Sequence, residues 1–123
     1  MKTKITLITI LFFMFFIISC KHKKNITEAK EVCFDTEILP IFLNNCANCH
    51  GNERTEKNIK YLDYSSIMGT IKTGNPDDSK AYEAITSNIG ENVMPPDLPL
   101  SQNQRSLIRL WIEQGAKETK CAN

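Results

Sequence analysis

A chain of 123 residues allows one domain of ordinary size. Its 15 basic and 14 acidic residues leave a net charge of +1, and loss of Lys2 and Lys4 with an N-terminal leader would take it just below zero. That balance argues against a nucleic-acid partner, which would call for a basic stripe or a strong positive excess.

Lys2 and Lys4 precede an apolar run from Ile5 to Ile18, which stops abruptly at Ser19-Cys20-Lys21. A membrane-spanning helix needs about 20 apolar residues, whereas the core of an export signal takes about 7 to 15, so the run suits an export signal. Ile17-Ile18-Ser19-Cys20 resembles the bacterial lipobox, in which cleavage falls before the cysteine and that cysteine carries the lipid. Residues 1–19 are therefore expected to be a lipoprotein signal peptide, and Cys20 the lipidated first residue of the mature chain. The alternatives are a soluble exported protein or an uncleaved anchor helix. Several acyl chains, at about 0.8 kcal/mol per buried methylene, would hold the protein on a membrane. Residues 20–31 are mostly polar and read as a tether, leaving 32–123 as the folded domain.

Phe34, Ile38 and Phe42 recur every fourth residue and predict a short amphipathic helix. Proline is tolerated only in a first turn, so Pro40 sets the regular start near Glu37 or Leu39. The helix leads into Cys46-Ala47-Asn48-Cys49-His50, the spacing of a c-type haem attachment site. Each sulfur can add to one vinyl group of the porphyrin, and His50, directly behind Cys49, is then the proximal iron ligand. An ordinary Cys-x-x-Cys pair, redox-active or half of a zinc site, is the competing reading. Zinc would need four ligands, and Cys33, His50 and Cys121 offer no second paired spacing.

Gly51 to Lys60 reads as a surface loop, and Tyr61 to Ile71 as a weak helical or mixed pattern interrupted by Gly69. Gly74-Asn75-Pro76-Asp77 signals a turn. Ser79 then caps a helix with Tyr82, Ile85 and Ile89 on one face and Gly90 at its end. The tyrosines are expected to be packing residues, one of which can also reach a haem carboxylate. Val93 to Pro99 cannot be helical: three prolines in five residues fix an extended loop, and Pro95 drives Met94 out of the α region. Ser101 and Gln104 fit a capping box ahead of the strongest helical pattern in the chain, Leu107 to Ile112, with Trp111 as a core anchor and Gly115 just past the end.

Two methionines compete for the distal side of the iron. Met68 sits in a segment that can be helical, where a methionine serves equally well as core filler. Met94 is far enough along the chain from His50 for the backbone to pass around a haem and return, and is preferred. Cys33 and Cys121 remain after the lipid and haem cysteines are assigned. They bracket the domain in an export compartment that permits disulfides, which predicts that they pair; two buried or reduced thiols are the alternative.

Together, Ile38 to Phe42, Cys46 to Gly51, Met94 to Pro96 and Trp111 to Ala116 resemble the small monohaem class I cytochrome c domains, in particular the bacterial membrane-associated kind. The resemblance spans residues 32–121, nearly all of the expected mature chain. It implies an all-α fold, with the N- and C-terminal helices packed around one covalently bound haem c. It also implies thioethers from Cys46 and Cys49, His50 as proximal ligand and Met94 as distal ligand. The cysteines outside the haem motif depart from the simplest soluble members. The expected function is electron transfer rather than enzymatic catalysis, between other redox proteins or respiratory complexes. The expected location is the bacterial cell envelope, lipid-anchored through Cys20 and facing the periplasm or exterior. The alternative function is a haem-based sensor or ligand-binding module whose distal methionine can be displaced.

Overall fold

A computed structural model describes residues 30–88 and 93–121. The expected signal peptide, Cys20 and most of the tether lie outside the described residues, as do Ile89 and Gly90. Four α-helices are described: α1 Leu39–Asn45, α2 Tyr64–Met68, α3 Lys80–Thr86 and α4 Gln102–Glu113. Two 3-10 turns, Glu56–Asn58 and Pro76–Asp78, lie between them. Among the described residues the only β pairing is an isolated antiparallel bridge between His50 and Thr55.

Pro40 stands in the first turn of α1 as expected, but the helical path begins earlier, as a π-helical turn over Phe34–Ile38. There the Ile38 N–H donates to the Cys33 carbonyl at 3.2 Å. Proline cannot donate to the preceding turn, and its ring crowds the carbonyl four residues back; a widened turn accommodates both constraints. α2 begins at a capping box in which the Asp63 carboxylate accepts from the Ser66 N–H and the Ser66 hydroxyl accepts from the Asp63 N–H.

Ser79 precedes α3 without capping it through its side chain. It is fully buried, and its hydroxyl accepts from the Lys72 N–H at 2.9 Å and donates to the Asn75 carbonyl at 2.8 Å. Tertiary contact has taken the hydroxyl that a local reading assigns to the helix end.

α4 follows its sequence signals closely. The Ser101–Gln104 capping box forms at its start. At its end Gly115, with φ +102°, allows the Gly115 and Ala116 N–H groups to bond back to the Ile112 and Trp111 carbonyls at 3.0 and 2.8 Å. This reversal is a Schellman closure. α4 packs against the Phe34–Ile38 turn, α3 and the Pro76–Asp78 turn.

The centre of that packing is aromatic. Phe34 meets Tyr64 edge-on at 5.1 Å and Trp111 at 5.6 Å between ring centres. The Trp111 indole donates to the Lys117 carbonyl and the Tyr64 hydroxyl to that of Ala116, each at 2.9 Å, so both polar tips are satisfied. Cys33 and Cys121 form a disulfide, with Cα atoms 6.0 Å apart, that ties the start of the domain to its end.

Candidate haem site

The haem motif is held by the turn that continues out of α1. The Cys46 N–H donates to the Phe42 carbonyl at 2.8 Å, and the His50 N–H to the Cys46 carbonyl at 2.9 Å. The chain then folds back on itself. The Glu56 N–H donates to the Cys49 carbonyl at 3.0 Å and the Tyr61 N–H to the His50 carbonyl at 2.9 Å. Gly51 makes this possible: it is buried, and a Cβ there would run into the Ala47 carbonyl oxygen.

This fold-back fixes the imidazole. His50 Nδ1 lies 3.2 Å from the Glu56 carbonyl oxygen and 3.2 Å from that of Ile59. Both partners are acceptors, so Nδ1 must carry the proton, and a neutral ring then keeps a free lone pair on Nε2. Metal-ligating histidines are oriented by such contacts on the other ring nitrogen. Lys57 and Asn58, with φ of +53° and +57°, turn the chain between the two acceptor residues. The Tyr61 ring lies edge-on to His50 at 5.3 Å and against Phe42 at 5.1 Å.

In front of the motif is a cavity of about 330 Å³ lined by Cys46, Cys49 and His50, by Ala81, Ala84 and Ile85 of α3, and by Met94-Pro95-Pro96. The Met94 N–H donates to the Ala84 carbonyl at 2.9 Å, which seats the proline-rich loop on α3. Met68, by contrast, packs against the hydrophobic core and does not line this cavity. Of the three tyrosines only Tyr61 lines it.

Burial pushes the Cys46 thiol up to about 11, and the neighbouring Cys49 adds to the shift. A redox-active dithiol needs the opposite, a lowered thiol pKa. Cys33 and Cys121, which a zinc site would need, are joined to each other. The residues present do fit a haem. Two unpaired thiols, an imidazole with Nε2 available and a thioether share one predominantly apolar cavity.

The sequence motifs identify the thiols, His50 and Met94 as candidates but not the groups that orient them. Backbone carbonyls such as those of Glu56 and Ile59 have no side-chain signature. Ala81 and Ala84 carry a faint one, since two small residues three apart on a helix leave one face open to close approach.

Residues 46–97, from the first cysteine of the motif through the Met-Pro-Pro loop, match the family model PSCyt1, Planctomycete cytochrome C. No curated protein and no solved structure matches the chain. The match supports a cytochrome c-type domain with covalently bound haem c and a role in electron transfer.

Proposed function

We propose that this protein is a membrane-tethered c-type cytochrome that carries single electrons through one haem. Cys46 and Cys49 would hold the haem as thioethers, His50 Nε2 would be the proximal ligand, and the Met94 sulfur the distal one. The observation that supports this assignment is the convergence of all four residues on one cavity, from which Met68 is excluded.

The haem, once bound, supplies one-electron cycling between ferric and ferrous iron. The protein supplies the fixed frame. Two carbonyls hold His50 through Nδ1, so the ring need not reorient when the charge beyond Nε2 changes. Met94 is seated through its own backbone bond to Ala84. With His50 and Met94 both holding the cofactor, no substrate would have to enter for the protein to work. A thioether raises the potential relative to harder ligands. In this reading lipid on Cys20 keeps the domain at the surface of a bacterial envelope membrane, where it exchanges electrons with other redox proteins or respiratory complexes.

Absorption spectra of the purified protein in both redox states, with the mass of the haem-bearing chain, test the proposal. Met94→Ala should abolish the far-red band of methionine-ligated ferric haem, and Met68→Ala should leave it. The reverse pattern would reassign the ligand. Rapid carbon monoxide binding by the ferrous protein at neutral pH would move the function toward a sensor. The mass of the mature N-terminus should show a chain that begins at an acylated Cys20; an unmodified Cys20 would argue against the lipid anchor.

A further inference from the structure

The rim of the cavity carries an uneven set of charges. Lys57, Lys80 and Glu83 are the charged residues that line it. Several cations elsewhere are paired on the protein itself: Lys72 with Asp78 at 2.9 Å, Lys117 with Glu31 at 3.3 Å and Arg54 with Glu56 at 2.8 Å. Lys57 and Lys80 have no ion-pair partner among the described residues.

Both lysines also have fixed roots. Lys57 adopts φ 53° and ψ 25°, the left-handed region that a residue with a Cβ adopts only at a cost. It is held there between Glu56 and Ile59, the residues whose carbonyls orient His50. Lys80 follows the fully buried Ser79, whose hydroxyl is tied to Lys72 and Asn75. One lysine therefore belongs to the loop behind the imidazole and the other to the helix that carries the Met94 loop. Such non-glycine strain is kept where surrounding structure over-determines it, often at ligand sites.

We propose that Lys57 and Lys80 pair with the two carboxylates of the haem, an inference that rests on reading the cavity as a haem site. A haem carries two ionised propionates, and Lys57 and Lys80 are the cations that line this largely apolar cavity; its neutral polar side chains, Asn45, Tyr61 and Ser87, can hydrogen-bond a carboxylate but not offset its charge. An unpaired charge at such a wall is unfavourable, and a paired one at its rim is tolerated. The lysine stems can lie along the apolar rim while their ammonium groups meet the carboxylates in partial contact with water.

The consequence is a proton balance. A neighbouring ammonium keeps a carboxylate ionised. Without it, the reduced protein takes up one proton from solvent onto the carboxylate along with the electron that the iron accepts, and the reduction potential becomes pH-dependent nearer neutrality. Glu83 is the competing titrant at the rim. Cys46, Cys49 and His50 are engaged by the haem in this reading, and burial holds the Tyr61 phenol above its ordinary range.

The test uses the full chain with haem attached. Covalent haem is first verified by mass for the wild type, Lys57→Gln, Lys80→Gln and the double variant. Midpoint potentials are then followed across about pH 5 to 9. Each single variant should move the inflection in potential upward by about one pH unit, the double variant further, and Lys57→Arg and Lys80→Arg should restore the wild-type profile. Lys117→Gln removes the same charge away from the cavity and should move nothing. An unmoved inflection in both single variants, an equal shift in Lys117→Gln, or loss of the shifted inflection on adding Glu83→Gln would each overturn the pairing. If the double variant yields no holoprotein, the single variants decide. Absence of covalent haem in the wild type would instead remove the haem reading itself.

Discussion

The disulfide between Cys33 and Cys121 closes a loop with a sequence separation of 88 residues. For a loop of that size the chain-entropy model assigns about 4 to 5 kcal/mol at 25 °C. The bond should act mainly on the unfolded chain, because the folded ends are already held together without it. The Val32 N–H donates to Gln114 Oε1 at 2.8 Å, the Phe34 N–H to Thr119 Oγ1 at 2.9 Å and the Asp35 N–H to the Thr119 carbonyl at 3.2 Å. Cys33→Ala with Cys121→Ser is the appropriate change: Cys33 is 4% exposed and would strand a serine hydroxyl, whereas Cys121 is exposed. A domain of this size loses about 4 to 8 °C per kcal/mol, so the midpoint of thermal unfolding should fall by on the order of 20 °C. Denaturant unfolding should also show a steeper slope, since the freed chain exposes more surface. Wild-type protein treated with a thiol reductant should behave like the variant. A fall of only a few degrees with an unaltered haem spectrum would refute the reasoning, because the terminal contacts would then be holding the unfolded ends together as well.

Three further outcomes follow from individual positions. Gly51→Ala places a methyl group against the Ala47 carbonyl and must open the turn that aims His50, so it should cost about 1 to 3 kcal/mol and lower the yield of haem-loaded protein; unchanged yield and melting would remove Gly51 from the account. Hydrogen bonds from the Ser66 N–H and then its side chain hold the Asp63 carboxyl below its ordinary range. Its contribution is therefore present above the unfolded-state pKa and is lost as pH falls through the folded one, so Asp63→Asn should flatten the acid limb of the stability profile. An acid limb identical to the wild type would show that the cap is not coupled to folding. In a haem-free Cys46→Ser/Cys49→Ser chain, amide exchange should quicken at His50, Tyr61 and Met94 before it does at Trp111 and Ile112. Uniform protection throughout would contradict a cavity side that depends on its cofactor.

The parts of this molecule that could be read from sequence are those decided within one turn of the chain. α4 is legible at both ends because Ser101, Gln104 and Gly115 act on their immediate neighbours. α2 is less so: its capping box uses Ser66 where Glu or Gln is the usual signal, so the start at Asp63 is hidden. At α1, Pro40 marks where regular helix can start but not that the preceding turn will widen. Ser79 has the right side chain for a cap, yet tertiary contacts claim its hydroxyl. The site divides in the same way. Cys46, Cys49 and His50 announce themselves by spacing, while the carbonyls of Glu56 and Ile59 that orient the ring come from a fold-back that Gly51 permits and the Thr55 hydroxyl helps to close, with no motif to mark it. Met68 and Met94 are chemically equal; distance along the chain from His50 favours Met94, and packing separates them in space: one joins the core, the other lines the cavity.

The interior accordingly has two parts of different character. Around Phe34, Tyr64 and Trp111 every large side chain has a protein neighbour, each polar tip finds a carbonyl, and the disulfide closes the chain ends nearby. Around Phe42, Tyr61 and His50 one side of the packing is the cavity itself. A domain this small has little buried surface to spare. The first part can therefore serve as the anchor from which α1 and α4 hold their positions, and the second has an open, largely apolar side that a bound haem would cover. Covalent attachment suits that division. Cys46 and Cys49 lie on the turn leaving α1, so the cofactor would be fastened to the element that both parts share, and its packing would be added to the same helix that the Phe34–Ile38 turn ties to α4.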